Sequence, residues 1–284
     1  MVFCSLVVSF YGLGSCSLPN PCLTLKVEMY VTGYLQRKPG LTNIKMALGA
    51  LASKASRHKA SILWPHIPGG RHTSELLSIH SLFDLEATAA KMTMSRLPPT
   101  VSCKDVKAKR IKSGAFTNDL WTWVRRAAET PTYNDFMTHL TLAAPVLKIA
   151  NYLVPKKPYA TVHLRCEDDW KSYSKRRAKV VFWPPSTILK AAKMHMPSQM
   201  EIIYLVGGGS DKYIEDWSTA FPQKKVMCRI ELLPLTKDLP ETVQAALDFH
   251  VANHASWFMG HLHSSFSLEA IRDEKPHLMY PFLE

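Results

Sequence analysis

From residue 159 onward the chain alternates short apolar runs with stretches of helical periodicity, and this restricts its fold more than any other feature. Such a succession folds as an α/β domain around a parallel sheet. The spacing predicts strands over 159–164, 201–206, 225–233 and 256–259, and helices over 186–195, 211–221, 241–251 and 266–272. In the first strand, Ala160-Thr161-Val162-His163-Leu164-Arg165, alternate side chains leave opposite faces, so His163 and Arg165 depart together while Val162 and Leu164 face the other way. The polar pair falls at the carboxyl end. In open α/β sheets that edge borders the ligand crevice, and a guanidinium there presents a planar fork matched to phosphate oxygens. The plainer reading of Arg165 is a surface ion pair with Glu167 or Asp169.

The first half reads differently. After Gly40, apolar Leu41, Ile44, Leu48, Leu51 and Ala55 recur at helical spacing and predict an amphipathic helix over 41–57. Ser61-Ile62-Leu63-Trp64, ended by Pro65, reads as a buried strand, and the Pro-Gly-Gly soon after it as a loop. Between 76 and 150 periodicity is weak, with one helix expected over 138–152. The run Pro155-Lys156-Lys157-Pro158 interrupts regular structure, because proline lacks a donor and biases its predecessor toward extended backbone. A domain boundary is placed there, dividing 23–154 from 155–284. The length of 284 residues suits two domains of roughly 100 to 200 residues each. With 46% hydrophobic and 20% charged residues the chain supports packed cores, which excludes general disorder.

Residues 1–22 stand apart as a signal segment. An apolar run from Val2 to Leu13 precedes the small residues Gly14-Ser15-Cys16-Ser17, although the usual positive start is missing. The run is shorter than the roughly 20 apolar residues a spanning helix needs, so no transmembrane segment is expected. Beyond it, Cys22, Cys103, Cys166 and Cys228 form an even set able to pair in an oxidising lumen, which points to the endoplasmic reticulum or Golgi. The lack of an Asn-x-Ser/Thr sequon weighs against that route. No CxxC pair and no tight Cys/His cluster occurs, which disfavours structural zinc. A net charge of +12 attracts anions, whether nucleic acid, acidic membrane or a diphosphate ligand. The basic clusters at 104–112 and at Lys175-Arg176-Arg177-Ala178-Lys179 lack interleaved aromatics and read as solvated faces, so no nucleic-acid partner is expected; a basic nucleic-acid-binding module is the alternative they would support.

Two further segments bear on chemistry. Gly260-His261-Leu262-His263-Ser264-Ser265-Phe266 follows a strand and opens a helix, so backbone N–H groups and two hydroxyls converge on an anion, unless the serines serve only as caps. The His261-x-His263 pair is a weak metal candidate without a carboxylate partner. Gly207-Gly208-Gly209 lacks the spacing of either phosphate-binding glycine fingerprint and reads as a turn. Glu167-Asp168-Asp169 resembles an acidic triplet that holds a divalent ion to a nucleotide diphosphate, the alternative of a metal-dependent glycosyltransferase using another nucleotide sugar. Arg165 just ahead argues against it by already supplying the positive charge.

Taken together, these segments resemble the protein O-fucosyltransferase superfamily. His163-Leu164-Arg165 with Glu167, Asp169 and Trp170 is similar to the family's His-Leu-Arg segment. Ala246-Leu247-Asp248-Phe249, Ser256-Trp257-Phe258-Met259-Gly260 and Ser264-Ser265-Phe266-Ser267, with Arg272 further on, resemble its closing donor-site block. Gly40-Leu41-Thr42-Asn43, followed by Trp64-Pro65, looks like its first loop and strand, with Pro39 and Ile44 in place of the usual Gly and Gln. The match covers about 36–66 and 159–275 and leaves the stretch between unmatched and short. The resemblance implies two Rossmann-like domains facing a cleft, the GT-B type. It also implies inverting, metal-independent transfer of fucose from GDP-fucose to a hydroxyl of a protein or glycan acceptor, with no cofactor beyond that donor. Arg165, Asn43 and Glu167 are the catalytic candidates, and His163, Arg165, Asp169, Asp248, Ser264, Ser265 and Phe266 the donor-binding ones. A member that binds donor without transferring it is the nearest alternative.

Overall fold

The computed structural model describes residues 30–32, 40–70, 73–100, 124, 127–177, 180–271 and 275–281. The signal segment, Cys22, Cys103, the basic run at 104–112, Ala178, Lys179 and Arg272 lie outside them. The chain divides into two compact units, one of residues 1–39 and 43–143, the other of 40–42 and 144–284.

In the first unit the helix Leu41–Arg57 has the bounds its periodicity predicts, with Ile44, Leu48, Ala52 and Ala55 buried. Strand β1 (Tyr30–Thr32) runs parallel to β2 (Ser61–Leu63), and Thr100 adds a parallel bridge to Ile62. Two short antiparallel ladders follow, β3 (Ile67–Pro68) with β4 (Leu76–Leu77) and β5 (Phe83–Asp84) with β6 (Thr141–Leu142). That last ladder corrects the single helix expected over 138–152. Helix Pro131–His139 ends before it and helix Ala144–Leu153 begins after it, because Thr141 and Leu142 pair with Asp84 and Phe83 across the fold.

The second unit is a five-stranded parallel sheet in the order β11-β10-β7-β8-β9, with β7 Tyr159–His163, β8 Ile202–Val206, β9 Lys225–Cys228, β10 Trp257–His261 and β11 His277–Tyr280. Every residue of β7, β8 and β10 is buried, as expected of parallel strands covered on both faces. Numbered along this unit, the order reads 3-2-1-4-5, the doubly wound arrangement. The strand expected over 225–233 stops at Cys228, and Arg229–Leu232 turns into a short helix. Helix Asp168–Lys175 and strand β11 are additions the sequence pattern did not reveal.

The unit boundary lies at 143/144 rather than at 154/155. Helix Ala144–Leu153 packs on helix Glu241–His254, with Asn151 Oδ1 2.9 Å from His250 Nε2. The Pro155–Pro158 run therefore connects a helix to β7 inside one unit. Among the described residues no helix is long and apolar enough to cross a membrane.

Candidate functional site

In the second unit the chain runs outward from β7 to β8 and β9, then crosses back to lay β10 on the other side of β7. Strand order reverses between β7 and β10, and in open α/β sheets ligands bind beyond the carboxyl ends of the strands at such a reversal. Leu164 to Glu167 leave β7 there, and the segment 262–266 leaves β10 beside them.

Leu164 donates its N–H to Val206 O at 2.9 Å, carrying the ladder one residue past β7 and setting Arg165 at the edge. The Arg165 side chain is only 11% exposed. Its guanidinium carbon stands 4.5 Å over the Trp170 ring, and Nη1 is 2.9 Å from Glu167 Oε2. This second contact is an ion pair without hydrogen-bond alignment: among the described residues neither Arg165 Nε nor Glu167 Oε2 has a hydrogen-bond partner, and neither has Trp170 Nε1. The plain ion pair is therefore present, yet it leaves buried donors unspent. Buried N–H groups are almost always satisfied in folded proteins. Arg165 Nε, on the guanidinium itself, and Trp170 Nε1 beneath it are thus donors that no acceptor among the described residues satisfies.

Glu167 occupies the N-cap position of helix Asp168–Lys175 but makes no capping bond. Its Oε1 instead accepts the Gly208 N–H at 3.2 Å. The neighbouring Gly207 has φ +115°, and a side chain there would collide with Leu164 O, so only glycine lets β8 end this close to the Arg165 segment. Gly207 N–H donates to Asp248 Oδ2 at 3.4 Å. Asp248 Oδ1 accepts from Arg229 Nε at 3.1 Å, while Arg229 also donates to Thr236 O at 2.9 Å and Gln244 Oε1 at 2.8 Å. Burial pushes the Asp248 carboxyl above the ordinary carboxylate range, and Arg229 and the Gly207 amide offset part of that rise. The structure thus shows Asp248, 6% exposed, in internal contacts that orient its neighbours.

On the β10 side, His163 is 4% exposed and its Nδ1 lies 2.8 Å from Ser267 Oγ, which also accepts the His261 N–H at 3.0 Å. Gly260 permits this approach, since a Cβ there would lie 2.5 Å from Ser267 Oγ. The Phe266 ring sits 4.4 Å from the His163 ring and meets Phe249 edge-on at 5.3 Å. Ser264 stands at the N-cap of helix Ser265–Ala270, but its hydroxyl makes no capping bond, so the cap reading does not account for it. His261 Nε2 is 3.0 Å from Val181 O, and its Nδ1 accepts the His263 N–H at 3.1 Å. Both ring nitrogens of His261 are thus engaged by backbone groups. Burial holds His261 down at about 4, so it is neutral at physiological pH.

Asp169 is exposed in the first turn of helix Asp168–Lys175, where an acidic side chain suits the helix dipole. Asn43 stands in the first turn of helix Leu41–Arg57, in the first unit, with a buried Oδ1 that lacks a hydrogen-bond partner among the described residues. Among those residues, no three His, Cys, Asp or Glu side chains converge on one point, so the acidic triplet does not assemble as a cluster. Cys166 and Cys228 are free thiols, and burial pushes Cys166 up to about 12. Sequence reasoning missed Arg229, hidden inside an expected strand, and Tyr280, whose hydroxyl donates to His163 O at 2.6 Å.

No family model and no curated protein sequence matches the chain. Solved structures do match its fold. POFUT1 in complex with GDP aligns over 90% of this chain and 99% of its own, with a TM-score of 0.63 and 13% identity. POFUT1 in complex with GDP-fucose aligns over 89% and 99%, at 0.62 and 11%. Fucosyltransferase NodZ from Bradyrhizobium aligns over 86% and 92%, at 0.55 and 11%. The chain has the α/β fold of these GT-B fucosyltransferases. The likeness also takes in the middle stretch that the motifs left unmatched.

Proposed function

We propose that the second unit binds the diphosphate of GDP-fucose at Arg165, and that the chain transfers fucose to a hydroxyl of a protein or glycan acceptor, Ser or Thr in the protein case. The observation that carries this reading is the pair of orphaned buried donors, Arg165 Nε and Trp170 Nε1, at the strand-order reversal. The likeness to structures solved with GDP and GDP-fucose supports the choice of nucleotide. As the bond from fucose to the diphosphate lengthens, negative charge grows on the departing phosphate. A guanidinium already held in place stabilises that charge without reorganising.

Ser264 and Ser265 supply hydroxyls toward the phosphates, and Phe266 packs beside them. His163 and Asp248 hold the two sides of the edge in register, and Asp169 is the candidate for contact with the base. Inversion at the transferred carbon, independence of metal and residence in the endoplasmic reticulum or Golgi lumen complete the proposal.

A thermal-shift screen against GDP-, UDP- and CMP-sugars tests it. GDP-fucose at about 100 times its Kd adds about 2.7 kcal/mol to stability, a rise of several degrees, and the other sugars add nothing comparable. Arg165→Ala removes the shift while the protein stays folded, and lowers turnover by about 100- to 1000-fold. Chelator leaves turnover unchanged. Well-folded protein that shows no GDP binding by calorimetry would overturn the proposal.

A further inference from the structure

The glycine turn after β8 is gripped from two sides by carboxylates. Gly208 N–H is held by Glu167 at 3.2 Å and Gly207 N–H by Asp248 at 3.4 Å. Each carboxylate is itself paired with an arginine, Glu167 with Arg165 at 2.9 Å and Asp248 with Arg229 at 3.1 Å. The Asp248–Arg229 half is buried and anchored further on Thr236 O and Gln244. The Glu167–Arg165 half is the one at the edge of the sheet. The two arginines, the two carboxylates and the glycine turn between them form one continuous line, with its fixed end in the core at Arg229 and its other end at the Arg165 guanidinium.

From this line we infer that Glu167 is a positioning residue: it transmits the fixed geometry of the Gly207–Gly208 turn to Arg165 and is not a proton acceptor. The inference rests on the reading of Arg165 as the diphosphate ligand. A base needs a carboxylate free to reach a substrate proton, whereas Oε1 of Glu167 is engaged by a backbone amide and Oε2 by a cation. An arginine is a planar fork whose strength depends on its orientation, and a carboxylate anchored to backbone fixes that orientation. A free carboxylate beside the same arginine would only compete with the phosphate, so the two roles predict opposite signs when the charge is removed.

The test is calorimetric titration of GDP into the full chain and into Glu167→Gln, Arg165→Lys and the double variant. Glutamine keeps an acceptor for Gly208 N–H but releases the guanidinium. Glu167→Gln is expected to weaken GDP binding by about tenfold, the size of one close charge pair at a binding site. In the Arg165→Lys background the same change has little effect, since an ammonium has no fork to orient. Gly208→Ala is the second variant, because its Cβ would lie 3.1 Å from Glu167 Cγ and displace the carboxylate from the turn side; it weakens binding in the same sense. Unchanged or tighter binding by Glu167→Gln overturns the inference, as does an equal loss in both arginine and lysine backgrounds, the mark of a merely structural role. No GDP binding by the unsubstituted protein overturns the donor reading instead, and with it the basis of this one.

Discussion

Arg229 carries more of the second unit's stability than its place in the sequence suggests. It is 6% exposed, and its guanidinium donates to a carboxylate, a carbonyl and a side-chain amide. Removing one member of a buried ion pair strands the other, which typically costs about 3 to 5 kcal/mol, whereas replacing both with apolar groups is often neutral. Arg229→Met is accordingly expected to lower unfolding free energy by about that amount, and Arg229→Met with Asp248→Leu to recover part of it, since Thr236 O, Gln244 Oε1 and the Gly207 N–H still lose their partners. Urea denaturation of the three proteins measures this. A double variant no more stable than the single one would show that the pair is not the cause. Gln244 Nε2, bonded to Lys237 O at 2.9 Å and Leu239 O at 2.6 Å, extends the same network into the connection before helix Glu241–His254.

Among the elements, strand β11 joins the site to the sheet edge. Tyr280 is fully buried, stacks on Trp183 at 5.4 Å, and donates its hydroxyl to His163 O at the point where β7 gives way to Leu164 and Arg165. Tyr280→Phe keeps the ring and removes that hydrogen bond, at a cost of about 0.5 to 1.5 kcal/mol. A denaturation midpoint equal to that of the unsubstituted protein would remove Tyr280 from this role. Why β11 escaped the sequence reading is physical: His277-Leu278-Met279-Tyr280 is a four-residue edge strand of which only Tyr280 is buried, so neither a full apolar run nor an alternation marks it. Helix Asp168–Lys175 was obscured because all eight of its residues are polar or aromatic and only Trp170 is buried. Helix Leu41–Arg57 was legible to the residue, since its buried face recurs at regular spacing. Arg165, Ser264 and Phe266 were legible as residues beyond the carboxyl ends of strands, because strand ends announce themselves. The internal commitments of His163 and Asp248 were not, because each depends on a partner far along the chain, Ser267 and Arg229.

At the scale of the whole molecule, two histidines, His261 buried and His250 half-buried, weaken the fold toward acid pH. Burial holds both His250 and His261 at about 4, against an ordinary value of 6.5, with His254 adding to the effect on His250. The unfolded chain takes up protons at these positions as pH falls below 6.5, while the folded chain does not until about 4. Their contribution to stability is therefore complete above 6.5 and is lost as pH falls from there through 4. Urea midpoints measured between pH 7.5 and 4.5 should decline over that window, and a flat series would contradict it.

The sheet order has a consequence for biosynthesis. The central strand β7 is made first in its unit, but the contact that closes the site edge, His163 to Ser267, spans 104 residues. At ribosomal speeds of about 5 to 20 residues per second, that interval is on the order of 5 to 20 s. Strands β8 and β9 can pair with β7 during that time, while the edge destined for β10 stays open. On this schedule the β10 side of the sheet is the last to become native, and a nascent chain exposes an unpaired β7 edge to its surroundings until Trp257–His261 has been made.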